Sequence, residues 1–195
     1  MLWRAIDMRN SCCRHSLGDP YNMRYYLQKM CIHANYHSFG QLLDVYIENF
    51  GSDELLDCSS QLRHLCLVCC YYITDKKFSE LVAKLLLLEE LDMTSSSLSE
   101  EPLKALGRYC PLLKSLKWNQ FWDGQPRIGI EGDEKFDDDY GALAIAKNMP
   151  KLRHLRLIGN RVTNDGLQAI LDGCPHLESL DFKEMFQCHS LMKFG

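Results

Sequence analysis

The chain lacks most of the features that announce a chemistry. Positive charge is not in excess: 22 Lys and Arg stand against 26 Asp and Glu, a net charge of −4. Binding nucleic acid through its phosphates needs a basic face, so that class is disfavoured. No apolar run approaches the roughly 18 residues of a membrane span. The densest, LVAKLLLLEEL, is broken by Lys84 and ended by Glu89 and Glu90. The opening MLWRAIDMRN has no basic stretch leading into an apolar one, so it does not read as a secretory signal. The expected location is cytoplasm and/or nucleus, with no membrane and no nucleic acid among the partners. There is no G-x-S-x-G elbow, P-loop, H-E-x-x-H or Gly-rich dinucleotide turn. No catalytic residue, cofactor or enzymatic activity is expected.

The ten cysteines are about 5% of the chain, below the roughly 8–10% of a disulfide scaffold. In a reducing compartment they read as small buried apolar residues or free thiols. Cys66, Cys69 and Cys70 with His64 raise the question of zinc. His64 and Cys66 alternate with Leu65 and Leu67 on a strand, however, while Cys70 belongs to an inward turn, so the ligands diverge. No second C-x-x-C stands at zinc-finger spacing. No metal is expected.

The organising feature is repetition. Leu62 opens LRHLCLVCCYYITD and Leu152 opens LRHLRLIGNRVTNDGL. Both fit L-x-x-L-x-L-x-x-[C/N], then an apolar residue, then Thr. Weaker copies begin at Leu88, Leu113 and Leu177, and an earlier one at Leu42. The starts at 42, 62, 88, 113, 152 and 177 give spacings of 20, 26, 25, 39 and 25. That period belongs to leucine-rich repeats of about 20–29 residues.

The last two leucines of the block are two apart and share one face of a strand. Helix-compatible stretches follow, among them DKKFSELVAKL and NDGLQAILDGC, with caps expected at Thr74 or Asp75, Ser99 and Asn164. Pro111, Pro150 and Pro175 lead out of the helices. The fold class is α/β: a short right-handed leucine-rich-repeat horseshoe, parallel strands on the concave face, helices on the convex face. The organisation is residues 1–41 as an N-terminal linker or cap and 42–195 as about six repeats. The register explains several cysteines. Cys70 takes the strand-exit position that Asn160 fills elsewhere, and Cys110 and Cys174 each precede a proline at equivalent places.

Two irregularities stand out. The spacing of 39 holds an acidic insert around 120–139, with Glu131, Asp133, Glu134, Asp137, Asp138 and Asp139. Like charge at that density predicts a mobile loop, and its spacing does not match a calcium loop. The spacing of 20 leaves only FGSDELLDCSSQ between Asn49 and Leu62, enough for a shortened helix.

Strand residues alternating with the core leucines form the candidate protein-binding face. Register gives Asp44, Tyr46 and Glu48 on the first expected strand. His64, Cys66 and Val68 follow on the second, then Glu90, Asp92 and Thr94 on the third. Ser115, Lys117 and Asn119 come next, then His154, Arg156 and Ile158, then Ser179, Asp181 and Lys183. Acid on the first and third strands against Lys117 and Arg156 on the fourth and fifth suggests a split of charge that orients a partner.

The cysteine-type repeat from Leu62 to Asp75 resembles those of F-box/LRR proteins. LWRAIDMRN, YIENFGSDELL, LVCCYYITD, CPLLKSLKWN, KNMPKLRHLRLIGN and TNDGLQAILDGCPHLESLDF together resemble a plant group of F-box/LRR-repeat proteins. In that group LWRxIDM resembles the segment leading from the F-box helices into the repeats. The resemblance implies a substrate receptor of Skp–cullin–F-box ubiquitin ligases, with no catalytic residues of its own. The F-box has no counterpart in these stretches, so the target-holding half is what carries over, in a truncated form. The Skp adaptor is a partner only if an F-box stands upstream. The alternative is a stand-alone LRR scaffold or a non-functional gene remnant. Trp3 and Ile6 are expected either to cover the strand around Val45 and Ile47 or to stay exposed.

Overall fold

The computed structural model describes residues 3–9, 20–53, 60–96, 98–120, 139–160 and 162–183, with the backbone alone at 20–23. Seven strands form one parallel sheet in chain order. They are β1 (Ala5–Met8), β2 (Asp44–Glu48), β3 (His64–Val68), β4 (Glu90–Thr94), β5 (Ser115–Asn119), β6 (His154–Ile158) and β7 (Ser179–Lys183). The described helices are α1 (Pro20–His37), α2 (Asp75–Val82), α3 (Glu101–Tyr109), α4 (Tyr140–Asn148) and α5 (Asn164–Gly173). Strand, helix, neighbouring parallel strand is the right-handed crossover unit, and its repetition builds the expected solenoid.

The leucine spacing places the core. The block-opening Leu42, Leu62, Leu88, Leu113 and Leu152 are all buried at strand entry. The two inward strand positions follow: Val45 and Ile47, Leu65 and Leu67, Leu91 and Met93, Leu116 and Trp118, Leu155 and Leu157, again all buried. On β7, Leu180 and Phe182 are only partly buried, since no described strand lies beyond it. One unit could not bury these side chains; the stack does. Truncating a leucine such as Leu67 to alanine costs about 2–5 kcal/mol.

The helices complete the core from the other side through Phe78, Leu81 and Val82 of α2, Leu103 and Leu106 of α3, and Ile145 of α4. Thr74 caps α2 by accepting from the Lys77 N–H at 3.3 Å. Ser99 accepts from the Glu101 N–H at 3.2 Å, but the cap position of α3 falls to Glu100, one residue later than expected, whose side chain makes no capping bond. The cap of α5 is Thr163, not Asn164: its hydroxyl accepts from the N–H groups of Asp165 and Gly166, and Asn164 is already helical. The Thr side chain of the repeat's own signature takes the position because it stands one residue earlier, where the backbone is still extended.

Six strand blocks were expected; the sheet has seven strands. Ala5–Met8 pairs in parallel with β2, Ile6 beside Val45. Ile6 is buried, whereas Trp3 is 53% exposed. Helix α1 lies over β1, burying Cys31 and Ala34, and the Cys31 Sγ approaches the Met8 Sδ at 3.2 Å. The acidic insert lies outside the described residues apart from its two ends, Gln120 and Asp139. So do the middle of the short crossover, at 54–59, and the tail after Lys183.

Candidate functional site

The register aligns the outward strand positions in rows. The first runs Ala5, Asp44, His64, Glu90, Ser115, His154, Ser179, and the second Asp7, Tyr46, Cys66, Asp92, Lys117, Arg156, Asp181. In the third, Glu48, Val68, Thr94 and Asn119 are aligned, as are Ile158 and Lys183. Adjacent strands lie about 4.8 Å apart, so side chains in a row are lateral neighbours and bond along it.

The rows are held in register at both strand ends. At entry, the N–H groups of Arg63, Glu89, Lys114, Arg153 and Glu178 each donate to the carbonyl of the preceding block, at 2.7–2.8 Å. At exit, Asn49, Cys69, Ser95 and Gly159 adopt positive φ of 66°, 55°, 54° and 75°. Their N–H groups donate to the last carbonyl of the next strand, at Val68, Thr94, Asn119 and Lys183, at 2.8–2.9 Å. A left-handed residue costs a non-glycine side chain about 1 kcal/mol. It turns the following residue inward.

That inward residue has the expected role. The Cys70 thiol donates to the carbonyls of Phe50 at 3.2 Å and of Val68 at 3.4 Å. The Asn160 amide likewise donates to Trp118 and Ile158 carbonyls. Cys110 and Cys174 form a second equivalent pair, donating to the carbonyls of Val82 at 3.6 Å and Met149 at 3.4 Å. Burial pushes the Cys110 thiol up to about 12, so these are neutral donors.

On the face, side chains bond one another along the rows. His64 Nδ1 meets the Asp44 carboxylate. Lys117 Nζ lies 3.0 Å from Asp92, and Arg156 Nε 2.8 Å from Asp181. Asp92 also accepts from the Thr94 hydroxyl at 2.7 Å; Thr94 accepts from Asn119 at 3.0 Å; Asn119 accepts from the Ile158 N–H at 3.0 Å. The expected division into acidic and basic parts is therefore softened: Asp92 and Asp181 each face a cation on an adjacent strand. Two residues expected to point out are buried. Cys66, 7% exposed, lies between the longer Tyr46 and Asp92 of its row, and Asn119, 6% exposed, is drawn in by its bonds to Thr94 and the Ile158 N–H. Glu90, His154, Asp181 and Lys183 are open to solvent, and Asp44, Tyr46, Glu48 and His64 are partly so.

Several contributors escaped the sequence reading. Arg9 reaches back across the face with its guanidinium 4.3 Å from the Tyr46 ring, bonded to Asp7 at 2.5 Å. That bond holds the Asp7 carboxyl below the usual range. At strand entry a further row runs Arg63–Glu89 at 2.6 Å, Glu89–Lys114 at 2.8 Å and Arg153–Glu178 at 2.9 Å. The signal was present: the second residue of the block is Arg, Glu, Lys, Arg, Glu in successive repeats.

A hollow in the face, among Arg9, Tyr46, His64, Cys66, Asp92 and Lys117, has a volume of about 80 Å³. Small-molecule pockets run about 300–1,000 Å³, so this hollow is smaller than a pocket of that kind. The Cys66 thiol is pushed up to about 11 by burial and then by the Asp92 charge, which opposes the thiolate that a nucleophile needs. No three His, Cys, Asp or Glu side chains converge on a point among the described residues. No described helix is long and apolar enough to cross a membrane.

No family model matches the chain. It is similar to F-box/LRR-repeat protein 23 of Arabidopsis thaliana, 43% identical over 95% of this chain and 39% of the relative. F-box protein SKIP19 of the same plant is 44% identical over 95% of this chain and 56% of that one. F-box/LRR-repeat protein 9, also from Arabidopsis, is 40% identical over 100% of this chain and 74% of that one. The chain thus spans about 39% and 56% of the length of the first two. Among solved structures, the tropomodulin C-terminal domain of Caenorhabditis elegans superposes with a TM-score of 0.53 at 18% identity, covering 76% of this chain and 92% of that one. At that identity the likeness concerns the fold alone.

Proposed function

The chain belongs to the plant F-box/LRR-repeat proteins, and from that premise we propose that it is the target-holding module of a ubiquitin-ligase substrate receptor, binding a protein on its concave face. The observation that carries the proposal is the laterally bonded face itself: seven strands in register present ordered side chains bonded along the rows, around a hollow of only about 80 Å³. Side chains already fixed by their neighbours lose little conformational freedom on binding. A protein partner would exchange hydrogen bonds with Asp44, Tyr46, Glu48, His64, Glu90, Asp92, Lys117, His154, Arg156, Asp181 and Lys183, with buried Cys66 and Asn119 supporting them from beneath. Arg9 joins that set.

The role is binding, with ubiquitin transfer left to other subunits. The Skp adaptor is a partner only where an F-box precedes the repeats, and the working compartment is cytoplasm and/or nucleus. The test is proximity capture in plant cells with the wild-type chain and with Tyr46→Ala/Arg156→Glu, against a helix-side control, Lys147→Glu. Proteins lost by the face variant and kept by the control are the expected targets. Identical capture by all three would refute concave-face binding. Targets whose abundance is unchanged when the ligase is inhibited would favour a stand-alone scaffold.

A further inference from the structure

We propose that His33 and His37, one turn apart on the exposed side of α1, form a chelating site for a divalent ion that prefers imidazole nitrogen, such as zinc, nickel or copper(II). This site stands apart from the concave face and from the target-holding role. Residues i and i+4 share a helix face, and two histidines at that spacing are the chelating element of helical zinc sites. Here their Nε2 atoms approach each other at 3.2 Å. With metal–nitrogen bonds of about 2.0–2.1 Å, nitrogens 3.2 Å apart subtend an angle of about 99–106° at the ion, close to tetrahedral. The separation of the nitrogens therefore matches the bite that the ion requires, and the rings have only to turn their lone pairs from each other toward a common point.

The surroundings keep that arrangement. The two ring centroids lie 4.2 Å apart, and Tyr36 packs edge-on against His37 at 5.6 Å. Lys29, one turn before His33, lies over the Tyr25 ring, 5.4 Å from its centroid. Both histidines are exposed, so an ion enters without opening the core. Without an ion, the short Nε2–Nε2 contact is a hydrogen bond when one of the two nitrogens carries its ring's proton. Binding needs both Nε2 lone pairs, so the donating ring moves its proton to Nδ1 and two neutral imidazoles coordinate. The remaining positions are filled by water or by a ligand from outside. The bound ion clips two successive turns of α1 together and stabilises the helix that covers β1.

The probe is Ni²⁺, titrated calorimetrically into the full chain and into His33→Asn, His37→Asn and His154→Asn. The expected result is one saturable site weakened about a hundredfold by either α1 variant, since removing one arm abolishes chelation. His154→Asn, on the concave face, is expected to bind as wild type. Far-ultraviolet circular dichroism should show unchanged helix content in every variant without metal. Co²⁺ loading adds a second readout: nitrogen-only coordination gives visible absorption without the strong near-ultraviolet thiolate band. Wild-type affinity in both α1 variants, a thiolate band, or no saturable binding in the wild type would each overturn the proposal.

Discussion

Gly107→Ala sets two effects against each other in one helix. Gly107 lies in α3, and its φ is not positive, so alanine would gain up to about 1 kcal/mol of helix propensity. The added methyl, however, falls 2.3 Å from the Asn148 Cβ and 2.5 Å from the Asn148 carbonyl oxygen. Neither is the end of a flexible side chain. Asn148 is the last residue of α4, tied down by its own amide donating to the Ala144 carbonyl at 2.7 Å. Ordinary contact begins at 3.4 Å, so α3 and α4 must part by about 1 Å along a joint where each repeat leans on the next. Overpacking of this kind costs about 1–3 kcal/mol. A contact this short against fixed backbone stands in the upper part of that range, about 2–3 kcal/mol, so net of propensity the loss is about 1–2 kcal/mol, a fall in Tm of about 2–8 °C for a chain of this length. Gly141→Ala is the counterpart. Its nearest neighbours are the Glu100 Cγ at 3.3 Å and the Leu103 Cδ1 at 3.8 Å, and a flexible glutamate yields. That variant should gain about 0.5–1 kcal/mol. Urea unfolding followed by circular dichroism reads both. A Gly107→Ala chain as stable as wild type, or both variants moving in the same direction, would refute the close-packing argument.

The remaining predictions concern caps, thiols and surface pairs. Asp53 accepts from the Thr74 N–H and hydroxyl, both at 2.9 Å, and Asp139 accepts from the same two groups of Thr163. Asp53→Ala and Asp139→Ala should each cost about 1 kcal/mol in urea unfolding, while Asp53→Asn should recover part of it. Burial raises the Cys31 and Cys110 thiols from 9.0 to about 12. Between those values the folded chain holds protons that the unfolded chain has released, so stability should be constant below about pH 9 and fall above it. Denaturant midpoints from pH 7 to 11 check this, and cysteine-to-alanine variants at both positions should flatten the slope. Lys117→Met removes a pair in which the lysine side chain is 43% exposed and the aspartate 20%. It should cost less than about 1 kcal/mol while weakening target binding.

How much could be read in advance differs by element. The strands β2 to β7 were legible because L-x-x-L-x-L is a local signal: a two-residue period places successive leucines on one face whatever lies beside them. Strand β1 was not, since Ala5–Met8 has no leucine and offers only Ile6 and Met8 inward, and becomes a strand only through its parallel bonds to β2. The inward roles of Cys70, Cys110 and Cys174 could be inferred because the repeat register compares each position with its counterparts. The cap of α5 was misplaced by one residue, because Thr163 and Asn164 are both good caps and only backbone geometry separates them.

The chain's own order of residues determined the repeat, the identity of its core and the list of outward side chains, since all three follow from short-range periodicity. Only the tertiary structure decided what those outward side chains do. Lys117 meets Asp92, Arg156 meets Asp181 and His64 meets Asp44 across 20–25 residues of chain. A row that looks like a gradient of charge along the sequence becomes a chain of lateral bonds, two of them Lys or Arg with a carboxylate, once adjacent strands stand about 4.8 Å apart. Coulomb attraction and hydrogen bonding act over that distance in space, with no regard to separation along the chain.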